Sequence, residues 1–131
     1  MGGVSAPEAK GPDARGKVLI VEDQYLASEF LRIWTEAYGF DVCGIATTAD
    51  TAVDLARQHN PTHVLMDVRL DGVRDGVDAA NVIQGEIVTR IIYCTGSSEP
   101  STVSRINGDH PFAILFKPID PQLLGQALMR P

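Results

Sequence analysis

A chain of 131 residues, 44% of them hydrophobic, is long enough for one domain with a single core. Its net charge of −6 argues against nucleic-acid binding, which usually needs clustered basic residues, and suits a protein that gathers carboxylates around a divalent cation. No apolar run approaches the roughly 20 residues that cross a bilayer, and residues 1–16 lack the apolar core of a signal peptide. We expect a cytoplasmic protein in which residues 1–16 form a disordered lead-in.

The first predicted strand, residues 17–21 (KVLIV), is continuously apolar. This pattern is typical of a parallel strand that is covered by helices on both faces. A helix is predicted to follow and to end at Gly39. Its apolar residues recur at helical spacing and are expected to form one buried face: Leu26, Phe30, Ile33, Trp34 and Ala37.

A second strand is predicted over residues 41–46, followed by a helix that Thr47 or Thr48 can cap. Small apolar residues share one face of this helix: Ala49, Ala52, Val53 and Ala56. The third strand follows the Asn60-Pro61 breaker, and its apolar run ends at Asp67. Asp67 therefore occupies the carboxyl end of a buried strand, where open α/β sheets place their ligands.

The same alternation continues to the end of the chain. The predicted elements are a helix containing Val77, Ala80 and Ile83, a strand over 88–94, a helix from Pro100 to about Asn107, a strand over 112–116, and a helix capped by Asp120. Five alternations predict an α/β fold with a doubly wound five-stranded parallel sheet and helices on both faces. We expect one domain over residues 17–131, without an output domain.

The cysteines and histidines carry no recognisable chemical motif. Cys43 and Cys94 lie in apolar stretches without CxxC or Cys/His spacing, so we expect reduced core residues. His59, His63 and His110 lie at helix and strand borders, and no chemistry is assigned to them.

Polar side chains stand at four predicted strand ends. The first strand ends in Glu22 and Asp23, the third in Asp67, the fourth in Thr95 and the fifth in Lys117. Because the carboxyl ends of parallel strands share one edge, these side chains should converge. Separately, the acids could be helix caps or loop residues, Thr95 a turn residue and Lys117 a solvated lysine. Their joint placement favours a functional site.

Three neighbouring carboxylates repel one another and need a counter-ion. Magnesium is the natural candidate, because it takes oxygen ligands and keeps several waters. Glu22 and Asp23 could bind it directly or through water, with Asp67 and the backbone carbonyl of Arg69 completing the protein ligands.

Asp67 would then be a nucleophile that accepts a phosphoryl group as an acyl phosphate. Such transfer depends mainly on positioning and on neutralising charge. The Lys117 ammonium and the Thr95 hydroxyl would bind phosphoryl oxygens that the metal leaves free.

Four segments resemble the motifs of response-regulator receiver domains of two-component signalling: residues 18–23 (VLIVED), 65–68 (LMDV), 95–96 (TG) and 116–118 (FKP). The resemblance implies a flavodoxin-like fold with strand order 2-1-3-4-5 and a cis peptide between Lys117 and Pro118. It also implies phosphorylation of Asp67 by a histidine kinase or a histidine phosphotransfer protein, and a downstream protein target. The chain resembles the single-domain type, as a monomer or weak homodimer.

Two positions depart from the family pattern. Gly96 stands where receivers usually have Ala or Ser, and Ile114 stands where they usually have an aromatic residue that moves with the threonine. How Thr95 would be coupled to the fifth strand is therefore left open. Arg69 and Ser97 occupy family positions that tune hydrolysis of the acyl phosphate, and our hypothesis is that Arg69 hinders water.

Several other functions fit the pattern in part. The domain could act as a phosphate sink or relay intermediate, or as the receiver part of a longer regulator. An aspartyl-phosphate phosphohydrolase would need an acid-base Asp where this chain has Arg69. An FMN-binding flavodoxin would need a hydroxyl- and glycine-rich loop where residues 22–25 are EDQY. A receiver that no longer takes phosphate conflicts with the complete acid, threonine and lysine set.

Overall fold

The computed structural model describes residues 15–96, 100–108 and 110–131. Five strands alternate with five helices: β1 Lys17–Val21, α1 Tyr25–Ala37, β2 Asp41–Ala46, α2 Ala49–His59, β3 His63–Met66, α3 Gly76–Glu86, β4 Arg90–Thr95, α4 Pro100–Gly108, β5 Ala113–Phe116 and α5 Pro121–Met129. All strand pairs are parallel, in the order β2-β1-β3-β4-β5. The predicted α/β fold and strand order are confirmed.

The core consists of two apolar layers, one on each face of the sheet. Residues of α2 and α3 pack over one face, and residues of α1 and α5 pack over the other. Every residue of β3 is buried, as expected for a central strand covered on both sides. Burial of this kind is the main stabilising contribution to such a fold.

Two predicted helix caps are present. The Thr48 hydroxyl accepts a 3.1 Å hydrogen bond from the amide of Thr51, which satisfies a free N–H at the start of α2. The Asp120 carboxylate accepts a 2.8 Å hydrogen bond from the amide of Gln122 at the start of α5.

The predicted lead-in lies mostly outside the described residues, because residues 1–14 are not described. Arg15 donates a backbone hydrogen bond to the carbonyl of Gly39, and the carbonyl of Gly16 accepts one from Asp41, both at 2.9 Å. These two residues therefore extend the contact between the start of β1 and the start of β2.

The buried face predicted for α1 is wrong for most of its residues, although Phe30 does pack against the core. Leu26 is 80% exposed, Ile33 54% and Trp34 37%. The helix instead buries a stripe that consists of Ser28, Leu31, Thr35 and Glu36. Small residues in this stripe let the helix lie close to the sheet, and the Ser28 hydroxyl is satisfied by the carbonyl of Tyr25 at 2.8 Å. The apolar residues of α1 thus lie on both faces of the helix. Helical spacing alone led to the prediction that a largely solvent-facing set of them is buried.

Two strand boundaries also differ from the prediction. β4 begins at Arg90 rather than at Val88, which is fully exposed, and β5 begins at Ala113 rather than at Phe112. Apolar residues in the connections before both strands extended the predicted runs.

No helix in the described part of the chain is long and apolar enough to cross a membrane.

Candidate functional site

Parallel pairing of β1 and β3 places the acids side by side. Val21 is the register partner of Met66, so Glu22 and Asp67 are the next residues on adjacent strands. The amide of Asp67 donates to the carbonyl of Val21 at 2.9 Å, which continues the ladder to the edge. One carboxylate oxygen each from Glu22, Asp23 and Asp67 lie within 4.8 Å of one another.

Lys117 reaches this cluster from the end of β5. Its ammonium lies 2.7 Å from Oε1 of Glu22 and 3.4 Å from Oδ2 of Asp67. The other Glu22 oxygen accepts a 3.1 Å hydrogen bond from the amide of Gln24. Lys117 and Pro118 are joined by a cis peptide bond, as predicted from the resemblance.

The pKa values of Asp67 and Lys117 depend on burial and on the charges of their neighbours in the cluster. Burial, together with the nearby Glu22 carboxylate, raises the pKa of Asp67 to about 6, although Lys117 opposes this rise. Burial works against the charged form of Lys117, but its hydrogen bond to Glu22 and its attraction to Asp67 outweigh burial and raise its pKa. Without a metal ion, Lys117 therefore neutralises only part of the negative charge.

Thr95 ends β4 at the same edge and is buried. Its carbonyl accepts a 2.8 Å hydrogen bond from the amide of Lys117, so the ends of β4 and β5 are tied together. Ile114 is the register partner of Tyr93 and packs against the core layer that contains Tyr93. An apolar contact therefore occupies the position where receivers usually have the mobile aromatic residue.

Arg69 and Ser97 were predicted to flank the site. The side chain of Arg69 is exposed two residues beyond Asp67, and its backbone carbonyl stays a predicted metal ligand. Ser97 lies outside the described residues.

The three carboxylates fit a magnesium ion. Mg²⁺ prefers oxygen ligands, keeps several waters, and is usually held by one or two carboxylates rather than by a closed protein cage. The cluster of Glu22, Asp23 and Asp67 offers this donor chemistry at a half-open edge. A divalent ion would also relieve the repulsion that raises the pKa of Asp67.

A group of residues beside the site was missed by the sequence analysis. Asp75 and Asp78 form a capping box at the start of α3, with side chain to backbone distances of 3.1 and 3.0 Å. Arg105 of α4 donates from Nη1 to Oδ2 of Asp75 at 2.8 Å. An acid three residues before another acid is a visible capping signal, but its partner on α4 is not predictable from local spacing.

The two cysteine thiols are free and at least partly buried. Burial raises the pKa of Cys94 to about 12, and burial also raises the pKa of Cys43. Both thiols are therefore protonated near neutral pH and poor metal ligands.

Comparison with known proteins identifies the family. The family described as response regulator receiver domain matches residues 18–129. The transcriptional regulatory protein PdtaR of Mycobacterium tuberculosis is 35% identical over 102 residues, which cover 78% of this chain and 49% of PdtaR. The phyllosphere-induced regulator PhyR of Methylorubrum extorquens is 28% identical over 121 residues, which cover 88% of this chain and 45% of PhyR.

Solved structures agree with the sequence match. The signal receiver domain of a modulated diguanylate cyclase from Desulfovibrio desulfuricans G20 is 35% identical, with a TM-score of 0.82 over 86% of this chain and 90% of that chain. PhyR from Brucella abortus is 26% identical, with a TM-score of 0.75 over 88% of this chain and 47% of that one. The chain spans about half the length of the curated relatives named above. From its motifs, its strand order and these matches, the chain belongs to the response-regulator receiver domains of two-component signalling.

Proposed function

We propose that this receiver domain is a phosphorylation switch in which Asp67 accepts a phosphoryl group from a phosphohistidine. The observation that carries the proposal is the position of Asp67 between an acid cluster and a lysine, with Oδ2 3.4 Å from the Lys117 ammonium. A carboxylate at a strand end can attack phosphorus and form an acyl phosphate. Residues that position the phosphodonor and neutralise its charge would supply most of the acceleration of phosphoryl transfer.

Glu22, Asp23 and Asp67, with the backbone carbonyl of Arg69, would hold Mg²⁺ in this proposal. The bound ion would supply charge neutralisation for phosphoryl oxygens. Because Glu22 already accepts hydrogen bonds at both oxygens, a water-mediated role suits it better than direct coordination. Asp23, which is only partly buried, is the better candidate for a direct ligand.

Lys117 and Thr95 would bind the phosphoryl oxygens that remain. The lysine now bridges Glu22 and Asp67, so a phosphoryl group on Asp67 would compete with Glu22 for its ammonium. The Thr95 hydroxyl would approach the phosphoryl group from the adjacent strand end. The movement of Thr95 would act on Gly96, which directly follows β4.

The output surface in this proposal comprises α4 and β5. The amide of Lys117 is bonded to the carbonyl of Thr95, and Thr95 is the register partner of Phe116, whose side chain is half exposed. A shift of Thr95 would therefore be transmitted through the backbone to an exposed aromatic residue. A change of this kind would bias the surface toward a protein partner.

The phosphodonor would dock against the exposed face of α1. Tyr25 and Leu26 begin this helix two residues after Asp23 and are largely exposed. An apolar groove lined by Ala27, Phe30, Leu31 and Ile119 also borders α1 and reaches Glu22 and Lys117. A helix that carries a phosphohistidine could bury its apolar face there and bring the phosphoryl group to Asp67.

The central experiment is incubation with acetyl phosphate and Mg²⁺, followed by intact mass spectrometry. We expect one phosphate increment in the wild type and in Asp71→Asn, which removes an exposed acid four residues further along. We expect none in Asp67→Asn. An increment that survives in Asp67→Asn would contradict the assignment of the phosphoacceptor.

The lifetime of the phosphorylated state would separate a switch from a phosphate sink or relay intermediate. We propose that the exposed Arg69 side chain hinders water, so Arg69→Ala should lose its phosphate faster than the wild type. An unchanged rate of autodephosphorylation would refute this role. Because the chain spans only about half the length of the named relatives, this domain could also be the receiver part of a longer regulator.

A further inference from the structure

A polar cavity lies at the amino edge of the sheet, at the opposite end of the strands from the acid cluster. Its volume is about 350 Å³, and Thr89, Arg90, His110, Phe112 and Arg130 contribute to its lining. This volume is at the lower end of the range of about 300 to 1,000 Å³ that is typical of small-molecule sites.

Two guanidinium groups are held beside one aromatic ring in this cavity. The Cζ atoms of Arg90 and Arg130 lie 4.8 and 4.3 Å from the centroid of the Phe112 ring. Arg90 also donates from Nη1 to the carbonyl of Arg130 at 2.8 Å, and Arg130 donates from Nη2 to the carbonyl of Phe112. Each guanidinium has five N–H donors, so these contacts fix both groups and leave donors for a ligand.

Neither guanidinium is neutralised by an acid within residues 15–96, 100–108 and 110–131. Four other arginines in this part of the chain do pair with carboxylates, namely Arg32, Arg57, Arg74 and Arg105. Arg90 and Arg130 have no such partner among the described residues. Two neighbouring cations in an acidic protein therefore face the cavity without an anion between them.

A buried hydroxyl lies at the same cavity. The Oγ1 atom of Thr89, which precedes Arg90, is inaccessible to solvent and has no hydrogen-bond partner among the described residues. Buried polar atoms in folded proteins are normally paired. An acceptor oxygen in the cavity would pair this hydroxyl once the Thr89 side chain turned toward the cavity.

We propose that this cavity binds a dianionic phosphate group, either inorganic phosphate or the phosphate of a small phosphomonoester. Two guanidinium forks match the charge and the planar donor geometry that phosphate oxygens prefer. A phosphate group has at least three terminal oxygens, enough to engage both guanidinium groups and, after the Thr89 side chain turns toward the cavity, its hydroxyl.

This site is separate from the one that phosphorylation would use. Arg90 begins β4 and Thr95 ends it, so the two sites are about 17 Å apart at the rise of a strand. A ligand at the amino edge cannot contact Asp67 directly.

The test is a titration of the full chain, followed by ¹H–¹⁵N correlation spectra. Inorganic phosphate and ribose 5-phosphate are added without Mg²⁺ at ionic strength held constant with sodium chloride. We expect saturable shifts at Thr89, Ile91 and Phe112. Arg130→Gln should weaken binding at least tenfold, and Thr89→Val, which keeps both arginines, severalfold. Arg57→Gln is the matched control, because it removes the same charge from a pair between α2 and α3.

Equal affinity for the two ligands would assign the site to the phosphate group alone, and tenfold tighter binding of ribose 5-phosphate would assign it to a small phosphomonoester. Shifts that do not saturate, or that weaken equally in Arg57→Gln, would overturn the proposal. Shifts confined to Thr95 and Gly96 would also overturn it, because phosphate would then occupy the Lys117 site. Spectra of the free variants that match the wild type away from the substitution exclude unfolding as the cause.

Discussion

Arg105 in α4 donates from Nη1 to Oδ2 of Asp75, the residue that caps α3, at 2.8 Å. Burial opposes ionisation of Asp75, but the Arg105 guanidinium and the amide of Asp78 outweigh burial and hold the pKa of Asp75 below its usual range. Asp75 ends the loop that begins at Asp67. An ion pair therefore connects the fourth helix with the loop that follows the proposed phosphoacceptor.

Breaking this ion pair should loosen α4 without unfolding the domain. Arg105→Gln should change the free energy of unfolding by no more than about 1 kcal/mol, because the guanidinium is half exposed. The amides of α4 should exchange faster with solvent, since Ile106 is the one buried residue recorded for that helix. Hydrogen exchange read by mass spectrometry measures this change. Arg57→Gln is the control, and equal α4 protection in both variants would contradict the prediction.

Two glycines of α3 should respond oppositely to substitution by alanine. A Cβ atom at Gly76 would lie 2.0 Å from the carbonyl oxygen of Asp67, and the backbone there cannot move aside, so Gly76→Ala should cost at least about 3 kcal/mol. A Cβ at Gly85 would meet nothing within 4 Å, so Gly85→Ala should stabilise the helix by about 0.5 to 1 kcal/mol. Urea unfolding followed by far-UV circular dichroism measures both, and similar effects would be inconsistent with this close approach.

The stability of the metal-free domain should depend on pH through two opposed groups. Burial raises the pKa of Asp67 to about 6, so the folded chain binds that proton more tightly than the unfolded chain, and the stability from Asp67 falls between about pH 4 and 6. Burial, reinforced by Arg90, lowers the pKa of His63 to about 4. The unfolded chain then binds the histidine proton more tightly, and the stability from His63 rises between about pH 4 and 6.5.

Variants should separate these two trends. In Asp67→Asn only the His63 contribution remains, so the free energy of unfolding should rise with pH. In His63→Gln only the Asp67 contribution remains, so the free energy of unfolding should fall with pH. Each trend is at most roughly 3 kcal/mol. Urea titrations at several pH values in the presence of a chelator measure the slopes. Identical slopes in both variants would show that neither group controls this range.

Magnesium should stabilise the folded chain through the acid cluster. Ligands that bind only the folded state raise its stability by mass action, so millimolar MgCl₂ should raise the thermal midpoint of the wild type. The increase should be largely lost in Asp23→Asn and kept in Asp71→Asn. Differential scanning fluorimetry measures it, with sodium chloride at matched ionic strength as the salt control. Equal increases in the two variants would place the ion elsewhere.

The exposed face of α1 should matter for a protein phosphodonor and not for a small one. Leu26→Ser should slow phosphorylation by a phosphorylated histidine phosphotransfer protein at least severalfold, because it removes exposed apolar area from the first turn of α1. Its rate with acetyl phosphate should stay unchanged. Val88→Ser, at an even more exposed position before β4, should affect neither reaction. Slowing with both donors would indicate damage to the site rather than to docking.

Particular residues explain how much could be predicted from the sequence. The five strands and the meeting of Glu22, Asp67 and Lys117 follow from apolar runs that end in polar residues, because parallel strands share one edge. The order of the strands was predicted from the resemblance to receiver domains. The orientation of α1 does not follow, since its buried stripe includes Ser28 and Thr35 while bulkier apolar side chains face solvent. The role of Asp75 as a helix cap could have been anticipated, because Asp78 follows it at the spacing of a capping box.

Contacts between distant elements could not be predicted. The pair of Arg105 with Asp75, and the two guanidiniums around Phe112, join residues that only the folded sheet brings together. Local propensity carries no information about such pairs.

The separation of Arg90 and Arg130 at one end of the sheet from the three acids at the other contributes an electric dipole directed along the strands. A phosphoryl group on Asp67 would add about 1.5 to 2 negative charges at the end that is already negative. The dipole would grow, and an oppositely charged partner would be oriented by the field before contact. Salt would therefore slow association of the phosphorylated domain more than that of the unmodified one.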